Sequence, residues 1–144
     1  MKNNSNKIRG FEKVAQEEIT FDKWNNLKKS LDLKKTNKQA REGEIWWCGV
    51  GRNVGSEING ESQFFSRPVL IYKRYSEYLI KVIPVTSKEH TPPFYYRTFF
   101  EGRDQYLALH QSRTISSSRI YSRICELGTE KFQEIKRAWT NLNQ

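Results

Sequence analysis

The sequence predicts a mainly β domain of the α+β class: a small, strongly curved sheet or half-open barrel, with helices near the two ends of the chain. Three observations carry this reading. Six short runs of strand character crowd into residues 44–124 and are separated by polar turns, not by helices. Phe132, Ile135, Trp139 and Leu142 recur at helical spacing in 129-TEKFQEIKRAWTNL-142. Upstream, Phe21, Trp24, Leu27 and Leu31 form a second such stripe, ahead of a composition break near Glu42. A doubly wound α/β fold is disfavoured because its strands would alternate with helices, and 144 residues suit one domain with a modest core.

Residues 1–10 are polar and expected to fray. From Phe11 to about Lys35 the pattern is helical, with Thr20 as the N-cap of the stripe and lysines on a solvated opposite face. Such a helix needs an apolar partner, either the following domain or another molecule. The stretch 34-KKTNKQAREG-43 reads as a linker, dividing a basic helical extension (1–41) from the main domain (42–144). The run 44-EIWWCGV-50 is strand-like. Its adjacent Trp46 and Trp47 must face opposite sides, one toward the core and the other toward a groove or dimer surface. The next run, Pro68–Lys73, starts on a proline, which a strand tolerates at its first residue. Tyr78–Val85, Phe94–Phe100, Tyr106–His110 and Arg119–Ile124 complete the strands. The final helix has Gly128 before it, Thr129 as the expected N-cap and Glu130 in its first turn.

Composition narrows the function classes. Aromatics at 13% argue against disorder, and a net charge of +9 suggests an anionic partner. That charge is uneven: residues 1–41 hold 11 Lys/Arg against 5 Asp/Glu, and the remainder 14 against 11. Charge alone is therefore weak support for nucleic-acid binding. The two cysteines are too few for a disulfide framework, and Cys48 reads as a small buried hydrophobe, as expected in a reducing cytosol. Neither a membrane-spanning run nor the apolar centre of a secretion signal is present, so a soluble cytoplasmic protein is expected.

Metal chemistry has little to work with, since His90 and His110 stand apart and the acids do not cluster. No cofactor is expected. The histidines could act as an acid–base pair in RNA cleavage, although their contexts, LALH and EHTPP, favour structural roles. A Ser–His–Asp hydrolase lacks its nucleophile elbow. What remains are arginines and hydroxyls beside strand ends: Arg67, Thr86, Ser87, Arg113 and Thr114. Metal-free phosphate chemistry needs this set, because guanidinium forks bind phosphate oxygens bidentately and hydroxyls hold the rest.

Four blocks in order, EGEIWW, NVGSEINGESQFFSRPVLIY, VIPVTSK and LHQSRTISSSRI, followed by the C-terminal helix, resemble the MazF/PemK family of toxins from toxin–antitoxin pairs. The resemblance covers about residues 42–142. It implies an antiparallel SH3-like barrel with a long helix, a homodimer, and a metal-independent, sequence-specific endoribonuclease. The substrate would be single-stranded RNA, cut to 2′,3′-cyclic phosphate and 5′-hydroxyl ends. A cognate antitoxin is the implied protein partner. Matched position by position, the catalytic arginine is Arg67 and the catalytic hydroxyl is Thr86, with Ser87 beside it. Gly55, Ser56 and Glu57 form the G-S-E of the loop, where Glu57 either pairs with Arg67 or caps the loop. Gln111 and Arg113 match the Q-x-R block, and Arg113 either holds the loop or touches the RNA backbone. Ser112 and Ser116 stand where the family often has an apolar residue and an acid. Phe64 and Phe65 either stack on bases or pack the loop onto the barrel, the latter being favoured. For Thr86 the alternative is a strand-end turn. Two other functions fit the same fold: a toxin that inhibits DNA gyrase without cutting RNA, and a non-catalytic nucleic-acid-binding barrel.

Overall fold

A run of alternating apolar residues buries one face of a strand, and a continuous apolar run buries both. The computed structural model follows this rule. It describes the backbone of residues 2–34 and 39–144 and the side chains of 12–34 and 39–144. The chain forms α1 (Lys2–Leu33), β1 (Glu44–Gly49), β2 (Ser66–Arg74), β3 (Leu79–Thr86), β4 (Tyr95–Phe100), β5 (Arg103–Ala108), β6 (Arg113–Ser116), β7 (Ile120–Glu126) and α2 (Thr129–Leu142). The strands make one antiparallel sheet ordered β4-β5-β3-β2-β1-β7, with β6 also paired to β3. One end of β3 pairs with β6 and the other with β5, so the sheet cannot stay flat and curls into a half-barrel. Register shifts in the β1–β7 and β2–β3 pairs add twist.

The consecutive apolar residues of β2 and β3 feed two cores. Trp46, Cys48, Val69, Ile71, Ile80, Val82, Ile115 and Ile120 fill the concave side. Ile45, Leu70, Ile83, Val85, Leu107 and Leu109 fill the other, where Phe132 and Ile135 of α2 cover them. Each fully buried aliphatic side chain contributes about 1.5–3 kcal/mol. Burial pushes the Cys48 thiol up to about 12, so this cysteine behaves as a hydrophobe.

The N-terminal part differs from the sequence-based expectation. Helix α1 begins at Lys2, so residues 2–10 are helical where fraying was expected. Thr20 is not an N-cap: it lies inside α1 and its hydroxyl donates to the Gln16 carbonyl at 2.8 Å. A threonine can make this bond back to residue i−4 without ending a helix. Part of the expected linker, residues 35–38, lies outside the described residues. The partner of the α1 stripe is the barrel. Trp24 is 6% exposed, packs against the Phe65 ring at 5.7 Å and lies under the Arg119 guanidinium. Gly51 makes this seat possible, since a Cβ there would fall 2.4 Å from the Trp24 indole. Its φ of +98° is a second reason for glycine.

β6 was absent from the predicted strands, and β2 starts two residues earlier than expected, at Ser66. The N-cap of α2 is Gly128, with Thr129 inside the helix. No described helix is long and apolar enough to cross a membrane.

Glu44 is the one buried carboxylate of β1, and it ties three segments together. It accepts from the Arg41 N–H at 2.5 Å and the Trp46 indole N–H at 3.3 Å, and pairs with Arg123 at 2.5 Å. Burial alone would raise its carboxyl, but the hydrogen bonds from Arg41, Arg123 and Trp46 together hold it below the ordinary value. A depressed carboxyl stabilises the fold above the unfolded-state pKa of about 4.3, and that stability is lost as pH falls further. Glu44→Gln should therefore lower the urea midpoint at pH 7 and flatten its decline below about pH 4.3. Trp24→Ala should cost about 3 kcal/mol in urea unfolding and expose α1 to limited proteolysis.

Candidate active site

Between β1 and β2 the chain makes a loop whose neck closes on one atom. The Phe65 carbonyl accepts the N–H groups of Val50 at 2.9 Å and Gly51 at 3.0 Å. Glu61 and Ser66 then exchange two backbone bonds, at 2.8 and 2.9 Å, and the Gly60 N–H reaches the Gly51 carbonyl at 2.8 Å. At Gly60 a Cβ would lie 1.7 Å from the Phe65 carbonyl oxygen, so only glycine permits the crossing. Phe65 takes a left-handed φ of 50°, a strain held by its buried ring and its doubly bonded carbonyl.

Side chains stiffen the loop from inside and outside. Asn53 donates through Nδ2 to the Ile58 and Val50 carbonyls, and its backbone N–H donates to Asn59 Oδ1 at 2.6 Å. Gln111, which follows β5, receives the Ile58 N–H at 3.2 Å and donates to the Ser56 carbonyl at 3.1 Å. Arg113 donates to the Val50 carbonyl at 3.1 Å. Gly55 sits at φ +55° in the turn above them. Of the two alternatives for Glu57, the structure has the cap: its carboxylate accepts the Val54 N–H at 3.0 Å.

Arg67 lies opposite Cys48 near the start of β2, and the loop holds its guanidinium. Its Nε donates to the Asn59 carbonyl, and a terminal nitrogen lies 3.4 Å from the Glu61 carboxylate. The arginine side chain is 15% exposed and its acidic partner 75%. The pair is therefore a fixed cation with a solvated, replaceable anion, and such pairs contribute about 0–1 kcal/mol. The guanidinium borders an open cleft of about 280 Å³ shared with Trp47, Ser87, Arg103 and Tyr121. Trp46 is core and Trp47 faces this cleft, as their adjacency requires.

Thr86 ends β3. The β2–β3 pairing runs to Val69 opposite Pro84, and Arg67 and Thr86 each lie two residues beyond that pair on their own strands. Its Oγ1 accepts the Lys88 N–H at 3.2 Å, the strand-end turn that was the alternative reading. That bond leaves the hydroxyl proton available as a donor. Ser87 lines the cleft, with Ser62, Ser66 and Tyr121 as its other hydroxyl residues, and Thr86 does not. The Phe pair divides: Phe65 packs under Trp24, while Phe64 is 56% exposed. Ser112 accepts the Trp139 indole N–H at 3.3 Å, and Ser116 caps the turn at Ser118. His90 and His110 both lie against the Tyr95 ring, at 3.9 and 5.0 Å, and neither lines the Arg67 cleft.

Sequence reasoning missed Glu61, Arg103 and Tyr121. The tight hairpin of residues 60–66 brings Glu61 to Arg67, and Gly60 was its sequence signal. Arg103 and Tyr121 belong to no recognised block. The assembled site, a fixed guanidinium, a second exposed one and a hydroxyl, can hold a phosphate on three sides. Gly60→Ala should force the loop neck apart and lower the unfolding free energy from urea titration by about 2 kcal/mol or more. Faster hydrogen exchange at the Gly51 and Ser66 amides is expected with it.

Comparison with known proteins agrees with this architecture. A crystal structure of MazF from Deinococcus radiodurans superposes with a TM-score of 0.60 at 20% identity, covering 72% of this chain and 94% of that one. A MazE–MazF structure from the same organism gives 0.54 at 17%, covering 72% and 93%. An endoribonuclease in complex with its cognate antitoxin, from a mycobacterial species, gives 0.53 at 13%, covering 71% and 92%. At such identities the likeness establishes the fold. No curated protein matches the chain in sequence. The family profile described as PemK-like, MazF-like toxin of type II toxin-antitoxin system matches residues 41–142, and the chain belongs to that family.

Proposed function

We propose that this protein is the metal-independent endoribonuclease of a toxin–antitoxin pair, cutting single-stranded RNA to 2′,3′-cyclic phosphate and 5′-hydroxyl ends. The observation that carries the proposal is Arg67: a guanidinium fixed by backbone, paired among the described residues with one exposed carboxylate, on a cleft with hydroxyls and a second arginine. In the reaction a ribose 2′-oxygen bonds to the adjacent phosphorus while the bond from phosphorus to the 5′-oxygen breaks. The proton leaves the 2′-hydroxyl and one is delivered to the 5′-oxygen. Negative charge grows on the equatorial oxygens in between, and Arg67 stabilises it once the phosphate displaces Glu61. Electrostatics is the role suited to arginine, which stays charged and is a poor proton donor. Thr86 and Ser87 donate to the remaining oxygens and orient the scissile group.

Gly55, Ser56, Glu57, Gln111 and Arg113 are assigned as positioning residues, because their contacts stiffen the loop that anchors Arg67. The working unit is a cytoplasmic homodimer formed by the 42–144 domain, and residues 1–41 are an added extension. The solved complexes of related folds with antitoxins support a protein antitoxin as the partner of this chain as well.

Purified protein with single-stranded RNA in excess EDTA should yield cyclic-phosphate and 5′-hydroxyl ends. Intact RNA, as a gyrase-directed toxin would leave, or 3′-hydroxyl products would overturn the proposal. Arg67→Ala should lower cleavage about 100-fold or more with the fold intact by circular dichroism.

A further inference from the structure

Three clefts are linked by shared lining residues. The Arg67 cleft shares Ser66 and Tyr121 with a second one of about 380 Å³, where Leu27 and Leu31 of α1 face Gly49 and Phe64 of the barrel. That cleft shares Arg119 with a third of about 390 Å³, where Lys28 of α1 faces Arg52, Arg113 and Arg119. The second cleft and the third, distal one lie on opposite flanks of the buried Trp24 and meet at Arg119, so α1 is a wall of each. Helix α1 lies outside the family-matched span, so this wall is particular to chains that carry such an extension.

The distal end has more cation than its neighbours can satisfy. Four basic side chains line it, against the acids Asp22 and Glu57, and Glu57 is already engaged by the Val54 N–H. Arg119 spends one terminal nitrogen on the Gly49 carbonyl at 3.5 Å and its face on Trp24. Burial and the nearby Arg113 guanidinium both depress the Arg119 pKa, as expected of cations crowded without a counter-charge. Arg52 lies over the Phe21 ring at 5.3 Å, and its buried Nε meets no acceptor among the described residues. A buried guanidinium donor without an acceptor is costly, and an anion in the cleft would supply one. Phe64 and Tyr121, 56% and 45% exposed, line the second cleft, which touches both the Arg67 cleft and the distal one.

We infer that Arg52, Arg119 and Lys28 bind a second backbone phosphate of the same single-stranded RNA whose scissile phosphate lies at Arg67. Phe64 and Tyr121 are the stacking surfaces for bases between the two phosphates. This inference rests on the RNA-cleaving reading. Its chemistry is fork recognition of phosphate by guanidinium, joined to sequence-tolerant stacking.

The test uses the full chain and a fluorescent, mixed-sequence single strand with 2′-O-methyl riboses, which cannot be cut. Anisotropy titrations are run over a range of salt. Arg52→Gln and Lys28→Gln should each weaken binding several-fold and lower the slope of log affinity against log salt by about 0.7 per lost phosphate contact. Wild-type affinity and slope in both variants would overturn the subsite and leave the nuclease reading standing. A wild-type chain that neither binds nor cleaves RNA would overturn both. Lys28 is on the exposed face of α1, so its variant answers the question even if Arg52→Gln fails to fold.

Discussion

The candidate site depends on how the Phe65 carbonyl closes the loop between β1 and β2. One oxygen receives two backbone N–H groups, and the chain crosses over it at a position where only glycine fits. At the next residue the backbone enters β2, so the direction in which Arg67 leaves the sheet is set by that closure. The atoms that hold its guanidinium, the Asn59 carbonyl and the Glu61 carboxylate, belong to the same crossing. A loop without this neck would leave a long, flexible arginine on a strand end. With it, the charge has one position, which is what a preorganised electrostatic site requires.

The barrel supplies rigidity and the loop supplies placement. β2 and β3 are buried on both faces, so the strands carrying Arg67 and Thr86 cannot slide without moving both cores. Gln111 then links the loop to the far end of β5, across a sequence separation of 53 residues from Ile58. Curvature follows from β3 pairing with β5 and β6 at its two ends, and it opens the cleft on the edge where Trp47 and Tyr121 emerge.

What was legible in the sequence were features that repeat or are local. The stripe of α2, the alternation of β1 and the paired faces of Trp46 and Trp47 follow from spacing alone. The motif blocks led to Arg67, Gln111 and Arg113. β6 is four residues, Arg113–Ser116, with one apolar side chain buried, too short for a period to show. The start of α1 was hidden because its first turns carry few apolar residues, and Thr20 imitated a cap that its bond to Gln16 rules out. The sequence left Glu57 as either the partner of Arg67 or a loop cap, and a backbone crossing makes it the cap and brings Glu61, four residues on, to Arg67. Crossings of that kind are tertiary facts. A sequence hints at them only through an unexplained glycine.

Helix α1 gives the loop a support that its own domain does not contain. Trp24 presses on Gly51 and Phe65, the two ends of the neck, from a helix that precedes the family-matched residues. The length of chain that makes the barrel and the length that keeps its loop shut are therefore different. Anything that drew α1 away, whether a binding partner or a cut upstream of β1, would remove Trp24 from the loop neck, so the extension is the natural handle by which the arginine could be loosened from a distance.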